Sequence, residues 1–290
     1  MAKISNRKCT FKQFVSEGSP QSSNKASSYV KALELLGPIL AAKAPAEYRT
    51  GDIWMVTSPK LIRRLYEYVC EERKKGEDGI FAGEEPRSYW KGGFMSAALR
   101  SYLEFRVTQN HEDRLDEVYE ENKDLPPEEI SRILQKQDVE DIKELVPRDV
   151  DFKSWEGKEV LRQRKERVDQ RYFRRMILRT YKSTCCLTAI AVPDLLIASH
   201  IVPWADDPKN RLNPCNGLCL NALHDKAFDR GLISFDDDCR LLISDQISEH
   251  FDNDTVNTNF AGFEGKSLTP PLQHPPELGF LARHRNVWGF

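Results

Sequence analysis

Apolar residues recur at helical spacing through most of the first hundred positions. In SSYVKALELLGPIL, Tyr29, Leu33 and Leu36 share one face, and Gly37-Pro38 are expected to end the helix. GDIWMVTSP follows as a short strand or extended piece. Ser58 is placed to cap the next helix with Pro59 at its first position, and Leu61, Ile62, Leu65, Tyr68 and Val69 give that helix an apolar stripe. After the hydrophilic turn KKGEDGIFAGEEP, Phe94, Ala98, Tyr102 and Phe105 return at helical spacing within 87–107. Residues 1–107 therefore predict a mainly helical accessory or recognition domain, with a Ser-rich loop (SEGSPQSSNKASS) near its start. Residues 108–154 read as an acidic connector. It carries helical fragments around Leu115–Tyr119 and Ile130–Leu134 and breaks at Pro126-Pro127 and Pro147. A long helix is expected over 158–182. Beyond Cys186 the pattern shortens: LLIAS predicts one strand, GLCLN a second running into a helix, and LISFDDDCRLLIS a hairpin turning at Asp236–Asp238. The class is α+β: a mainly helical N-terminal domain and a C-terminal domain of short strands and helices over 155–290.

Composition narrows this picture. The chain has 290 residues, 40% of them hydrophobic and 30% charged, as expected of a soluble globular protein. No apolar run is long enough for a membrane-spanning helix, and MAKISNRKCTFKQF lacks the apolar core of a secretory signal. Seven cysteines, two of them adjacent at Cys185-Cys186, point to free thiols in a reducing compartment, hence the cytoplasm.

A net charge of −2 does not by itself suggest a nucleic-acid binder, but the charge is segregated. Residues 111–150 hold fourteen Asp/Glu against six Lys/Arg, and residues 151–182 hold eleven Lys/Arg against five Asp/Glu. The basic block directly precedes the stretch with the strongest candidate chemistry. The acidic segment reads as a solvated spacer, or alternatively as a strap over that basic surface when no nucleic acid is bound.

Between Ala198 and Gly231 the chain reads ASHIVPWADDPKNRLNPCNGLCLNALHDKAFDRG. His200 follows an apolar strand, Asn216 precedes a glycine 16 positions later, and His224 lies 8 beyond the Asn. Taken alone, each is ordinary: a core or loop His, a turn signal, a helix-surface His. Together, and continuing through AFDRGLI into the acidic hairpin, they resemble the HNH endonucleases. The basic segment RQRKERVDQRYFRRMILRTYKSTCCLT and the tail FLARHRNVWGF resemble the segments that flank this motif in bacterial restriction-type members.

The resemblance implies a ββα-metal fold for the C-terminal domain and metal-dependent hydrolysis of phosphodiester bonds in DNA, with RNA as another possible substrate. It makes His200 the general base, Asn216 the residue that fixes the loop and orients the base, and His224 the metal ligand. A His with a near-neutral pKa suits the base role, provided an acceptor fixes its other ring nitrogen. Asp229 could reach the metal from the helix end or hold the Gly231 turn. The ion would be Mg2+ or Mn2+. Many members carry Asp or His immediately before the base, whereas this chain has Ser199, so a loosely held, mostly water-coordinated ion is expected.

No Cys-x-x-Cys pair is present, so a structural zinc is not expected. Arg171, Arg174, Arg175 and Arg179 could track a DNA backbone, and Arg283, His284 and Arg285 could approach a phosphate or form surface salt bridges. The implied role is restriction or other anti-phage defence, with a possible homodimer for double-strand cleavage. The alternative is a weakly active or inactive nucleic-acid- or partner-binding protein on the same scaffold.

Overall fold

A computed structural model describes residues 2–17, 24–137, 140–146 and 153–290. The chain forms two compact units, one of Met1–Asp113 with Val139–Lys165 and one of Arg114–Asp138 with Glu166–Phe290. The expected connector 108–154 is thus divided between them. The expected proline break at Pro147 and much of the Ser-rich loop lie outside the described residues.

The first unit contains α1 (Ala2–Glu17), α2 (Lys25–Lys43), α3 (Pro59–Lys74), α4 (Arg87–Lys91) and the start of α5 (Phe94–Asn122). Ser58 caps α3 as expected, its Oγ accepting from the Leu61 N–H, with Pro59 leading the helix. Two local expectations fail here. Gly37-Pro38 do not end α2, which runs on to Lys43 with Leu36, Gly37, Ile39 and Leu40 buried. Burial of that stripe outweighs the roughly 3 kcal/mol cost of an interior proline, and Gly37 is needed because a Cβ there would lie 2.6 Å from the Gly51 carbonyl oxygen. GDIWMVTSP is not a strand: Asp52 accepts from the Trp54 N–H and winds Ile53–Met55 into a single 3-10 turn that buries Ile53 and Trp54.

In the second unit, the later part of α5 and α6 (Pro127–Gln135) contribute Leu115, Tyr119, Ile130 and Leu134 to the core, so this acidic stretch is packed structure and not a solvated spacer. Among the described residues, α7 (Glu140–Lys143) belongs to the first unit, and α8 (Trp155–Thr180) supplies Tyr172, Phe173, Met176 and Ile177 to the same core as α6.

The strands then appear as β1 (Leu196–His200) and β2 (Gly217–Asn221), followed by α9 (Ala222–Asp229). The hairpin is antiparallel, with Leu196 opposite Asn221 and His200 opposite Gly217. α9 packs on β1, β2 and β3 (Ile233–Phe235). β3 pairs with β4 (Leu241–Ile243), and the turn between them is closed by Asp236, whose carboxylate accepts from the Asp238 and Arg240 N–H groups. Short helices α10 (Asp245–Ser248) and α11 (Asp254–Asn259) lead to α12 (Leu278–Trp288), which packs against β3. Among the described residues no helix is long and apolar enough to cross a membrane.

Candidate active site

The β1–β2 hairpin delivers His200 at the end of its first strand, and the loop between the strands holds the ring in place. His200 Nε2 lies 3.1 Å from the Arg211 carbonyl oxygen. A carbonyl can only accept, so Nε2 carries the proton and Nδ1 keeps a lone pair. This is the fixed acceptor that a histidine base requires. The ring stacks on Phe173 at 3.7 Å and meets the edge of Trp204 at 5.5 Å. Burial pushes its pKa down to about 4; the Arg211 carbonyl opposes this and the Arg211 charge adds to it. At neutral pH the imidazole is uncharged and able to take a proton.

The Arg211 carbonyl stays in place because its own side chain is braced. Its guanidinium donates to the Trp204 carbonyl at 2.9 Å and to Glu166 Oε1 at 2.8 Å. Asn216, fully buried, closes the same loop. Its Oδ1 accepts from the Val202 N–H at 2.8 Å, and its Nδ2 donates to the Val202 and Asn210 carbonyls at 3.1 and 3.2 Å. These bonds tie Val202 and Asn210 of the loop to the start of β2.

His224 is not placed as a free metal ligand. It is fully buried, with Nδ1 2.8 Å from Asn221 Nδ2 and Nε2 2.8 Å from the Asn259 carbonyl oxygen. Asn221 also caps α9, accepting from the Leu223 and His224 N–H groups. Phe260 and Phe263 enclose the ring, and burial lowers its pKa. Both nitrogens are used within the protein, so the residue knits α9 to the core.

The neighbouring Asp225 lies instead beside Ser199 on β1, the residue before His200. It is half-buried, and burial raises its pKa, an effect that Ser199 on β1 opposes and Asp229 reinforces. Ser199 Oγ is buried and lacks a hydrogen-bond partner of good geometry, although it lies close enough to favour the charged form of Asp225. Asp229, one helical turn on from Asp225, also has a raised pKa and lines a cavity of about 170 Å3 together with His200, Asp206 and Arg283. The i,i+4 spacing of Asp225 and Asp229 was the available sequence signal.

Among the described residues no three His, Cys, Asp or Glu side chains converge as a ready-made metal cage. Two carboxylates on one helix face, with the unpartnered Ser199 hydroxyl opposite, still fit an ion that keeps several waters, as Mg2+ does.

The arginines are largely committed within the chain. Arg174 donates to the Leu196 and Pro193 carbonyls at 2.6 and 3.2 Å, anchoring the start of β1. Arg175 bonds Asp116 at 2.7 Å, and Arg179 lies 3.6 Å from both Asp116 and Glu120. Arg171 is half-buried on the same helix. His284 is a core residue and not a phosphate contact: it stacks on Phe228 at 3.8 Å and is bonded to Ser234 and to the Phe228 carbonyl. Arg285 is held by the Phe235 carbonyl and Asp237. Arg283 reaches Asp207 at 3.3 Å from an exposed position on the cavity rim.

A β-hairpin crossed by a helix, with a carbonyl-anchored histidine on its first strand, makes a ββα unit. The comparison with protein families agrees: residues 185–236 match the family model described as HNH endonuclease, and this segment is an HNH endonuclease domain. A search of curated proteins finds no match.

Proposed function

We propose that the chain is a metal-dependent DNA endonuclease that uses His200 as its general base. The observation that supports this best is the neutral His200, its Nε2 tied to the Arg211 carbonyl, lining one cavity with the carboxylate of Asp229, to which Asp225 is coupled from the preceding helical turn. His200 Nδ1 accepts the proton of a water as that water attacks phosphorus, and the loop clamped by Asn216 keeps the acceptor from swinging away. Asp225 and Asp229 would hold the ion, with water completing its shell. A bound Mg2+ or Mn2+ supplies charge neutralisation at the phosphate and at the departing oxygen.

The resemblance of the flanking segments to restriction-type proteins supports a role in restriction or other anti-phage defence in the cytoplasm. Cutting both strands would need two copies of the site, hence a homodimer or two successive nicks. A second reading, a binding protein on the HNH scaffold, draws on Ser199, which offers the metal no carboxylate or imidazole.

Nicking of supercoiled plasmid decides between them. We expect cleavage with Mg2+ or Mn2+, none with EDTA, and none from folded His200→Ala. Cleavage retained by His200→Ala in a clean preparation sinks the mechanism, and a folded wild-type chain that binds DNA but never cuts favours the second reading. Parallel digestion of RNA and single-stranded DNA reports substrate class.

A further inference from the structure

The cavity beside His200 is lined by two chemically different sets of side chains. His200, Asp206, Asp229 and Arg283 supply polar, ionisable lining, while Pro203, Val287 and Trp288 supply apolar lining. Trp288 and Val287 are 45% and 68% exposed, although both are large apolar side chains on a short terminal helix. The indole is not loose. It lies flat against the backbone of Gly231, where an added Cβ would come within 2.2 Å of the ring. Gly231 has a φ of +64°, so the close approach and the backbone conformation both call for glycine there.

The end of α12 is locked as well, by left-handed Gly289 and by the Gly289 and Phe290 N–H groups returning to the Arg285 carbonyl at 2.8 and 3.1 Å. An aromatic ring pinned on one side and open on the other, a few side chains from a phosphate-cleaving histidine, matches the two halves of a nucleotide. The anionic sugar-phosphate belongs by His200 and Arg283, and the base at the indole.

We infer that this cavity is a nucleotide subsite in which Trp288 stacks on the base next to the scissile phosphate. The inference rests on the nuclease reading above and adds a determinant of substrate binding that no backbone contact supplies. Stacking on an indole tolerates any base, so it distinguishes a base from its absence and not one base from another.

The test is equilibrium binding of the full chain in EDTA, read by fluorescence anisotropy. The two probes are a short labelled oligothymidylate and an abasic backbone of the same length. The wild type should prefer the oligothymidylate by about tenfold. Trp288→Ala should bind both probes as weakly as the wild type binds the abasic one, and Trp288→Phe should restore part of the preference. Thermal melting of each variant confirms folding.

Equal binding of both probes by the wild type overturns the inference, as does Trp288→Ala that keeps the full preference. A Trp288→Ala chain that changes oligomeric state but not base preference overturns it too, since the exposed face then serves a second copy. Plasmid nicking by the wild type reports separately on the nuclease reading, so the two ideas fail in different experiments.

Discussion

Lowering the pH tests the placement of His200 most directly. Its pKa is held at about 4 against an ordinary value of 6.5, so charging it in the folded protein is disfavoured by about 3 kcal/mol, at roughly 1.4 kcal/mol per unit. At pH 5.5 an ordinary histidine would be only about one-tenth neutral, whereas His200 should remain more than nine-tenths neutral by the same relation.

The assay is an NMR titration of the histidine resonances in the metal-free protein, with His200→Gln identifying the His200 signal. Its midpoint should fall well below the ordinary range. In cleavage assays with saturating metal, the acid limb should then lie below pH 6, set by His200 or by the two aspartates, whichever protonates first. Phe173→Leu, which removes the 3.7 Å stack and admits water, should move the His200 midpoint upward toward 6.5.

Stability follows with a definite sign. Between pH 6.5 and 4 the unfolded chain binds this proton and the folded one does not, so stability should fall as pH drops through that window. A His200 midpoint near 6.5 would refute the buried, neutral base.

The other predictions concern the elements around that base. Asn216→Ala leaves the Val202 N–H and carbonyl without partners, while the Asn210 carbonyl keeps its bond from the Asn213 N–H, so the loss of stability should be about 2–3 kcal/mol, read as a shift in urea midpoint; a shift under about 1 kcal/mol contradicts the clamp. Asp225→Asn should lower cleavage roughly 10- to 100-fold and raise the Mg2+ concentration needed while leaving the urea midpoint nearly unchanged. His224→Gln should do the reverse, costing about 2 kcal/mol of stability; lost cleavage with intact stability in His224→Gln would return the ligand role to that residue. Gly217→Ala places a Cβ 2.4 Å from Ile177 and 2.8 Å from Phe173, so it should destabilise by about 1–3 kcal/mol and shift the His200 titration through the Phe173 ring.

What could be read in advance was what sequence encodes locally. Ser58-Pro59 starts a helix because the hydroxyl and the missing N–H act within one turn, and the 233–243 hairpin shows its alternation directly. Gly37-Pro38 misled because the packing of Leu36, Ile39 and Leu40 overrides the local signal. His224 misled for a geometric reason. Adjacent helical residues point about 100° apart, so His224 turns into the core while Asp225 does not, and only the helix's rotation on the hairpin distinguishes them. The arginines of α8 carried their charge plainly, but Asp116, the partner of Arg175 and Arg179, lies on another helix nearly sixty residues upstream. The acceptor of the His200 proton is a main-chain oxygen, which leaves no trace in side-chain identity.

That last contact decides which mutations the site can absorb. Every residue type offers the same carbonyl, so no substitution at position 211 deletes the acceptor itself; it can only loosen the side-chain brace to Glu166 and Trp204. The proton arrangement on His200 is therefore inherited through the length of the segment between the strands more than through its spelling. A one-residue insertion or deletion between Val202 and Arg211 should disarm the histidine more thoroughly than most replacements there.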